Sequence, residues 1–94
     1  MALLDQMAAK IIGQQELVIG PLAWSEAGKV SGLRVDALRH EAVIANGDAK
    51  ETVNRLVAQY ERLFGRASRE VCREAVAGML TNLTPAEIPS SLVA

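Results

Sequence analysis

Residues 53–83 carry an apolar pattern with the period of an α-helix, interrupted at Gly65. Val53, Leu56, Val57, Tyr60, Leu63 and Phe64 follow i, i+3, i+4, i+7 spacing. Ala67, Val71, Cys72, Ala75, Val76, Met79, Leu80 and Leu83 keep the phase beyond the glycine. Such spacing puts one apolar stripe along a helix and demands a second apolar surface to cover it. Asp48, with Glu51 three residues later, makes a capping-box-like start. The pattern predicts a fourth helix ending at Phe64, a turn at Gly65 and a fifth helix running to Leu83. One long kinked helix is the alternative.

The preceding segments read as shorter helices. In residues 2–19, Leu4, Met7, Ala8, Ile11, Ile12, Val18 and Ile19 form one stripe. Gly13 inside that helix costs about 1 kcal/mol relative to Ala, so a close contact is expected to use its missing side chain. Gly20-Pro21 ends the first helix and starts a second, Pro21 to about Lys29. Leu22, Ala23, Ala27 and Val30 are its inward positions, with Trp24 on the flank. Ser31-Gly32 stops it, and Leu33-Arg34-Val35 forms an extended link. Asp36 is placed to cap a third helix over residues 37–45, with Leu38, Ala42 and Ile44 or Ala45 facing inward. EAVIA also suits a short strand, but with no second strand run evident, helix is the expectation. Asn46-Gly47 is a stop and turn. Thr84-Pro85-Ala86-Glu87 predicts one helical turn, and residues 89–94 a loosely ordered tail.

The chain also matches itself. Laying IIGQQELVIGPLAWS (11–25) over LVAQYERLFGRASRE (56–70) keeps the apolar phase and aligns Gln14 with Gln59, Glu16 with Glu61 and Gly20 with Gly65. A pseudo-repeat over 11–33 and 56–78 would make each half a helix–glycine turn–helix, two of which can share one core. The expected fold is therefore an all-α single domain over 1–94, with about five helices forming a small bundle.

The stretch VIGPLAWSEA resembles short helical Gly-Pro-turn modules that accompany kinase, response-regulator and roadblock-type domains in bacterial signalling proteins. The resemblance covers about residues 15–30, and again 59–76 with Arg66 in place of the proline. It implies a non-catalytic regulatory or oligomerisation module and carries no catalytic residue across.

Charge and composition exclude several classes. Ten basic and eleven acidic residues leave a net charge of −1, which gives no global drive toward nucleic acid or membrane. A single cysteine forbids an intramolecular disulfide and makes a reducing cytoplasm the expectation. The opening MALLDQMAAKIIGQQE lacks a basic region and carries Asp5 in its apolar stretch, unlike a secretory leader. Trp24, Tyr60 and Phe64 are the only aromatics, so the core is built from small aliphatics. A core of that kind leaves a monomer of this size marginal, and a homodimer is expected.

Candidate chemistry is sparse. Cys72 lies in the apolar phase of its helix and reads as a small buried hydrophobe rather than a reactive thiol. His40, the only histidine, lacks a third group that would orient it for catalysis and lacks metal-ligand spacing. Glu70 and Glu74 read as i,i+4 partners on a solvated face. The most informative polar set is Arg55, Arg62, Arg66, Arg69 and Arg73. On one continuous helix these five lie within about 60° of each other, and the expectation is a solvated face neutralised by Glu61, Glu70 and Glu74; the alternative is a stripe that contacts phosphates or an acidic partner surface, and a turn at Gly65 would split it. Trp24 is expected to be buried as an anchor between the halves; the alternative, an exposed patch, would make it a partner-binding residue beside the arginines. No phosphate-binding glycine loop, nucleophile elbow or zinc spacing is present, so no catalytic residue, cofactor or metal is expected. The reading is a non-enzymatic protein-interaction, regulatory or oligomerisation module. The alternative is a small helical nucleic-acid-binding protein that uses the arginine stripe.

Overall fold

The computed structural model describes residues 3–45 and 47–92. Asn46, expected in a turn, and residues 93–94 of the expected tail lie outside the described residues. Four α-helices are present among those described: α1 (Leu3–Ile19), α2 (Leu22–Ala27), α3 (Ala49–Phe64) and α4 (Ala67–Val76). Between α2 and α3 the chain forms two strands, β1 (Leu33–Asp36) and β2 (Glu41–Ile44). Three 3-10 turns follow α4, at Leu80–Asn82, Pro85–Glu87 and Ser90–Leu92. The protein is mostly helical with a small antiparallel sheet, and so is not purely all-α. No helix among the described residues is long and apolar enough to cross a membrane.

The hairpin replaces the helix expected over 37–45. Its strands pair Leu33 with Ile44, Arg34 with Val43, Val35 with Ala42 and Asp36 with Glu41. The partner for EAVI was the link LRVD, whose four residues are too short to stand out as a strand. Burial alternates along both strands, with Leu33 and Ala42 buried and Arg34 and Glu41 exposed. Asp36 caps a tight turn rather than a helix: its Oδ1 accepts from the N–H groups of Leu38 (3.1 Å) and Arg39 (3.2 Å). Leu38, expected inside, is 95% exposed at the hairpin tip. The Ile44 N–H donates to Asp5 Oδ1 at 2.9 Å, which ties the hairpin to α1.

Gly65 is a turn, not a kink in a long helix. It sits at φ 90°, ψ −179°, a region that only glycine adopts readily. Gly20 has φ 75° at the matching position. The two turns repeat the same backbone hydrogen bonds. Gly20 N–H donates to Glu16 O and Gly65 N–H to Glu61 O, both at 2.8 Å. Ala23 N–H donates to Gly20 O, and Ser68 N–H to Gly65 O.

The core follows the same 45-residue offset. The buried residues of α1 are Met7, Ala8, Ile11, Ile12 and Gln15; those of α3 are Thr52, Val53, Leu56, Val57 and Tyr60. Each member of the first set has its counterpart in the second, one offset away. Ala23 and Ala27 on α2 likewise correspond to Ser68 and Cys72 on α4, all four buried. Three buried hydrogen bonds then cross between the halves, two of them related by the offset. Gln15 Nε2 donates to Ser68 O (3.0 Å), and Tyr60 Oη donates to Ala23 O (2.6 Å). The offset that takes Gln15 to Tyr60 also takes Ala23 to Ser68, so these two bonds are equivalent, one donated from each half.

Three further expectations are corrected. The last helix stops at Val76 rather than Leu83, and Met79, Leu80 and Leu83 pack against the core from turns. Residues 89–92 are not loose: Leu92 is 2% exposed, and Ser91 donates from its N–H (3.0 Å) and Oγ (2.7 Å) to Asn54 Oδ1 on α3. Val18, Leu22, Leu63 and Phe64 belong to the apolar phase but lie partly in solvent at the helix ends. The turn expected at Thr84–Glu87 forms as a 3-10 turn with a Thr84–Glu87 capping box, and Asp48 caps α3 by accepting from Lys50 N–H (2.9 Å).

Gly13 makes no close contact, because a Cβ built there meets nothing within 4 Å. Gly13→Ala is therefore expected to stabilise the fold by about 0.5–1 kcal/mol, raising Tm by roughly 2–8 °C at this length. Gly65→Ala is expected to lower Tm, since alanine at that φ is strained by about 1 kcal/mol or more. Thermal unfolding followed by circular dichroism checks both signs.

Candidate functional site

The turn at Gly65 divides the arginine stripe into two groups. Arg55 and Arg62 on α3 flank a shallow depression with Lys29, Val30 and Gln59. Arg66, Arg69 and Arg73, at and beyond the start of α4, line a separate open hollow of about 620 Å³ with Glu61, Ala67 and Glu70. The continuous five-arginine surface expected from helical phase is thus not formed.

Among the described residues Arg69 and Arg73 of the second group pair with carboxylates, whereas Arg62 in the first is held by a neutral amide. Arg62 Nη2 donates to Gln59 Oε1 (2.9 Å), while Gln59 Nε2 donates to Glu26 Oε1 (2.9 Å). The Glu26 side chain is only 11% exposed, and Lys29 Nζ reaches its other oxygen at 3.0 Å. The Lys29 hydrogen bond is the main cause of a Glu26 pKa below the ordinary carboxylate value, with Gln59 helping and burial opposing. In the hollow, Arg69 Nη2 lies 3.2 Å from Glu61 Oε1, and Arg73 Nη1 donates to Glu70 Oε1 at 2.7 Å. Arg66 is exposed and has no carboxylate partner among the described residues.

Trp24 is 4% exposed, so it is not a surface contact residue as the sequence allowed. Its indole packs under His40, with ring centroids 5.4 Å apart at an angle of 38°. His40 Nε2 in turn lies 3.7 Å from Glu16 Oε1. His40 reaches this position from the hairpin turn, where it takes φ 54°, left-handed for a residue with a side chain. The Glu16–Trp24–His40 cluster is not visible in sequence, since its three members come from α1, α2 and a turn that reads as helix. Trp24 Nε1 is buried without a hydrogen-bond partner among the described residues.

His40 and Cys72 are not brought together: His40 faces Glu16 and Trp24, while Cys72 is fully buried on α4 and receives a hydrogen bond from Gln15 Nε2 at 3.4 Å. Burial pushes the Cys72 thiol up to about 11 and the Tyr60 phenol above its ordinary value. The described residues contain no group of three or more His, Cys, Asp or Glu placed to hold a metal ion. Compared with protein-family models, with curated proteins and with solved structures, the chain matches none.

Both raised groups are neutral when folded and ionise more readily when unfolded. Their contribution to stability is whole below the unfolded values of 9.0 and 10.0 and is lost as pH rises through the folded values. Melting temperature is expected to fall as pH goes from 9 to 11, and to fall less in Tyr60→Phe. Native Cys72 is expected to react with a thiol reagent at pH 8 only at the rate of unfolding, and with fast kinetics in denaturant. Fast labelling of the native protein would contradict the burial assigned here.

Proposed function

We propose that this protein is a non-enzymatic interaction module that self-associates and regulates a protein partner, in keeping with its resemblance to helical modules of bacterial cytoplasmic signalling proteins. One observation carries this reading. The core is closed around Tyr60, Trp24 and aliphatic side chains, yet other large apolar side chains remain in solvent at the ends of the long helices and at the hairpin tip. Leu17 is 80% exposed, Val18 66% and Leu38 95%. Leu22, Leu63 and Phe64 add to the same class of surface. Single exposed apolar residues are ordinary, whereas consecutive ones at a helix end, Leu17 with Val18 and Leu63 with Phe64, favour association. Val18 and Leu63 are one 45-residue offset apart, and both are exposed, whereas Ile19, the counterpart of exposed Phe64, packs against the core.

The split of the arginines removes the main support for the nucleic-acid alternative. Phosphate backbones are best tracked by a continuous basic surface. Here two depressions each contain basic groups with hydrogen-bond or ion-pair partners of their own.

Sedimentation over a concentration series tests the reading. The protein is expected to self-associate at concentrations of tens of micromolar. Leu17→Glu combined with Val18→Glu is expected to return it to monomer with Tm changed little, since both side chains lie largely in solvent. A wild-type protein that is strictly monomeric at about millimolar concentration, equivalent to less than roughly 4 kcal/mol of association energy, would sink the homodimer.

A further inference from the structure

Equivalent positions flank both glycine turns, and the two halves cover them differently. In the second half the positions hold Glu61 and Arg69, which pair at 3.2 Å. In the first half they hold Glu16 and Trp24, and a turn of the chain itself lies over them. That turn is the hairpin tip, which sets the His40 ring 5.4 Å from the indole and Nε2 3.7 Å from Glu16 Oε1. Among the described residues no hairpin follows α4, where the chain runs into 3-10 turns instead. The second-half position opens into the hollow of about 620 Å³. The substitutions between the halves also change its charge. Pro21, Trp24 and Gly28 correspond, one offset later, to Arg66, Arg69 and Arg73, all three of which line the hollow.

We infer that the hollow bounded by Glu61, Arg66, Arg69 and Arg73 is a docking site for an acidic turn of a partner protein. This rests on the interaction-module reading above and adds to it a second surface and a partner chemistry. Three guanidinium groups face two carboxylates there. Arg66 has no acidic partner among the described residues, and a guanidinium fork accepts a carboxylate in a two-pronged, charge-assisted pair. The shape is suited to a turn, since a turn already fills the equivalent place in the first half. Glu61 and Glu70 between the arginines disfavour a run of nucleic-acid phosphates but are tolerated by a peptide, whose charges are spaced and whose backbone N–H groups can meet them.

The test is a titration of the isotope-labelled full chain, read by amide and arginine side-chain chemical shifts. The probes are a hexaglutamate peptide, inorganic phosphate and a single-stranded oligonucleotide. The peptide is expected to shift Ala67, Arg69, Glu70 and Arg73, and to bind more weakly as salt rises. Arg66→Glu, at an exposed position, is expected to weaken that binding about tenfold, while Arg55→Glu in the other depression leaves it unchanged. Absence of shifts around the hollow overturns the site, as does equal binding by wild type and Arg66→Glu. Phosphate producing the same shifts at the same concentration reduces it to a simple ion site and overturns the peptide assignment; tighter oligonucleotide binding overturns it in favour of nucleic acid. Loss of self-association in Arg66→Glu would show that a second copy is the occupant and would overturn the partner assignment. If the hollow fails these tests while Leu17→Glu with Val18→Glu still abolishes self-association, the interaction-module reading stands without it.

Discussion

Two hydrogen bonds in the core hold the protein's halves in register, and the arrangement around them follows from that constraint. Gln15 reaches across to the carbonyl of Ser68, and Tyr60 to the carbonyl of Ala23. Both acceptors lie in the first turn after a glycine, where a helix begins and its side chains have not yet filled the space above the backbone. A polar donor buried at such a place is costly if misaligned. A register shift of α1 against α4, or of α3 against α2, would leave a buried amide or phenol without its acceptor. Aliphatic packing alone is more forgiving, because Leu, Ile, Val and Ala exchange places at modest cost. The pair of polar bonds gives a core of small residues a single geometry.

The glycine turns make those bonds reachable. A residue with a side chain at φ 90° and ψ −179° would be strained, so Gly65 fixes how α4 leaves α3. The consequence reaches the surface. Turning α4 away from the line of α3 moves Arg66, Arg69 and Arg73 into a hollow of their own and leaves Arg55 and Arg62 beside Lys29. One backbone conformation thereby converts a uniform basic stripe into two local sites with different neighbours.

Much of this was legible in the sequence, and the misses have physical causes. Helical phase located α1 and α3 and their inner faces, and the aligned glycines located both turns. The apolar setting of Cys72 told of its burial. The hairpin was missed because its strands are four residues each and its turn carries no glycine; His40 occupies the left-handed position that glycine or asparagine usually announces. The stop of α4 at Val76 was masked by apolar residues that continue the phase while packing from turns. Leu92 was taken for tail because local sequence holds no sign that Asn54, far back in α3, binds the backbone of Ser91. The arginines were found by residue type, but their grouping depends on a turn angle, and the Glu16–Trp24–His40 cluster on a tertiary contact; neither is written in local spacing.

The exposed hairpin tip lies between two units that exchange equivalent hydrogen bonds across a shared core. Neither unit can bury its own apolar face, so neither is a folding unit alone. The connection between them, at residues 37–40, carries no core side chain. The protein is in this sense a heterodimer written on one strand of chain. Cleaved at the hairpin tip, its two pieces would still hold complementary surfaces and matched polar contacts, the ingredients of a split protein whose fragments find each other without a covalent tether.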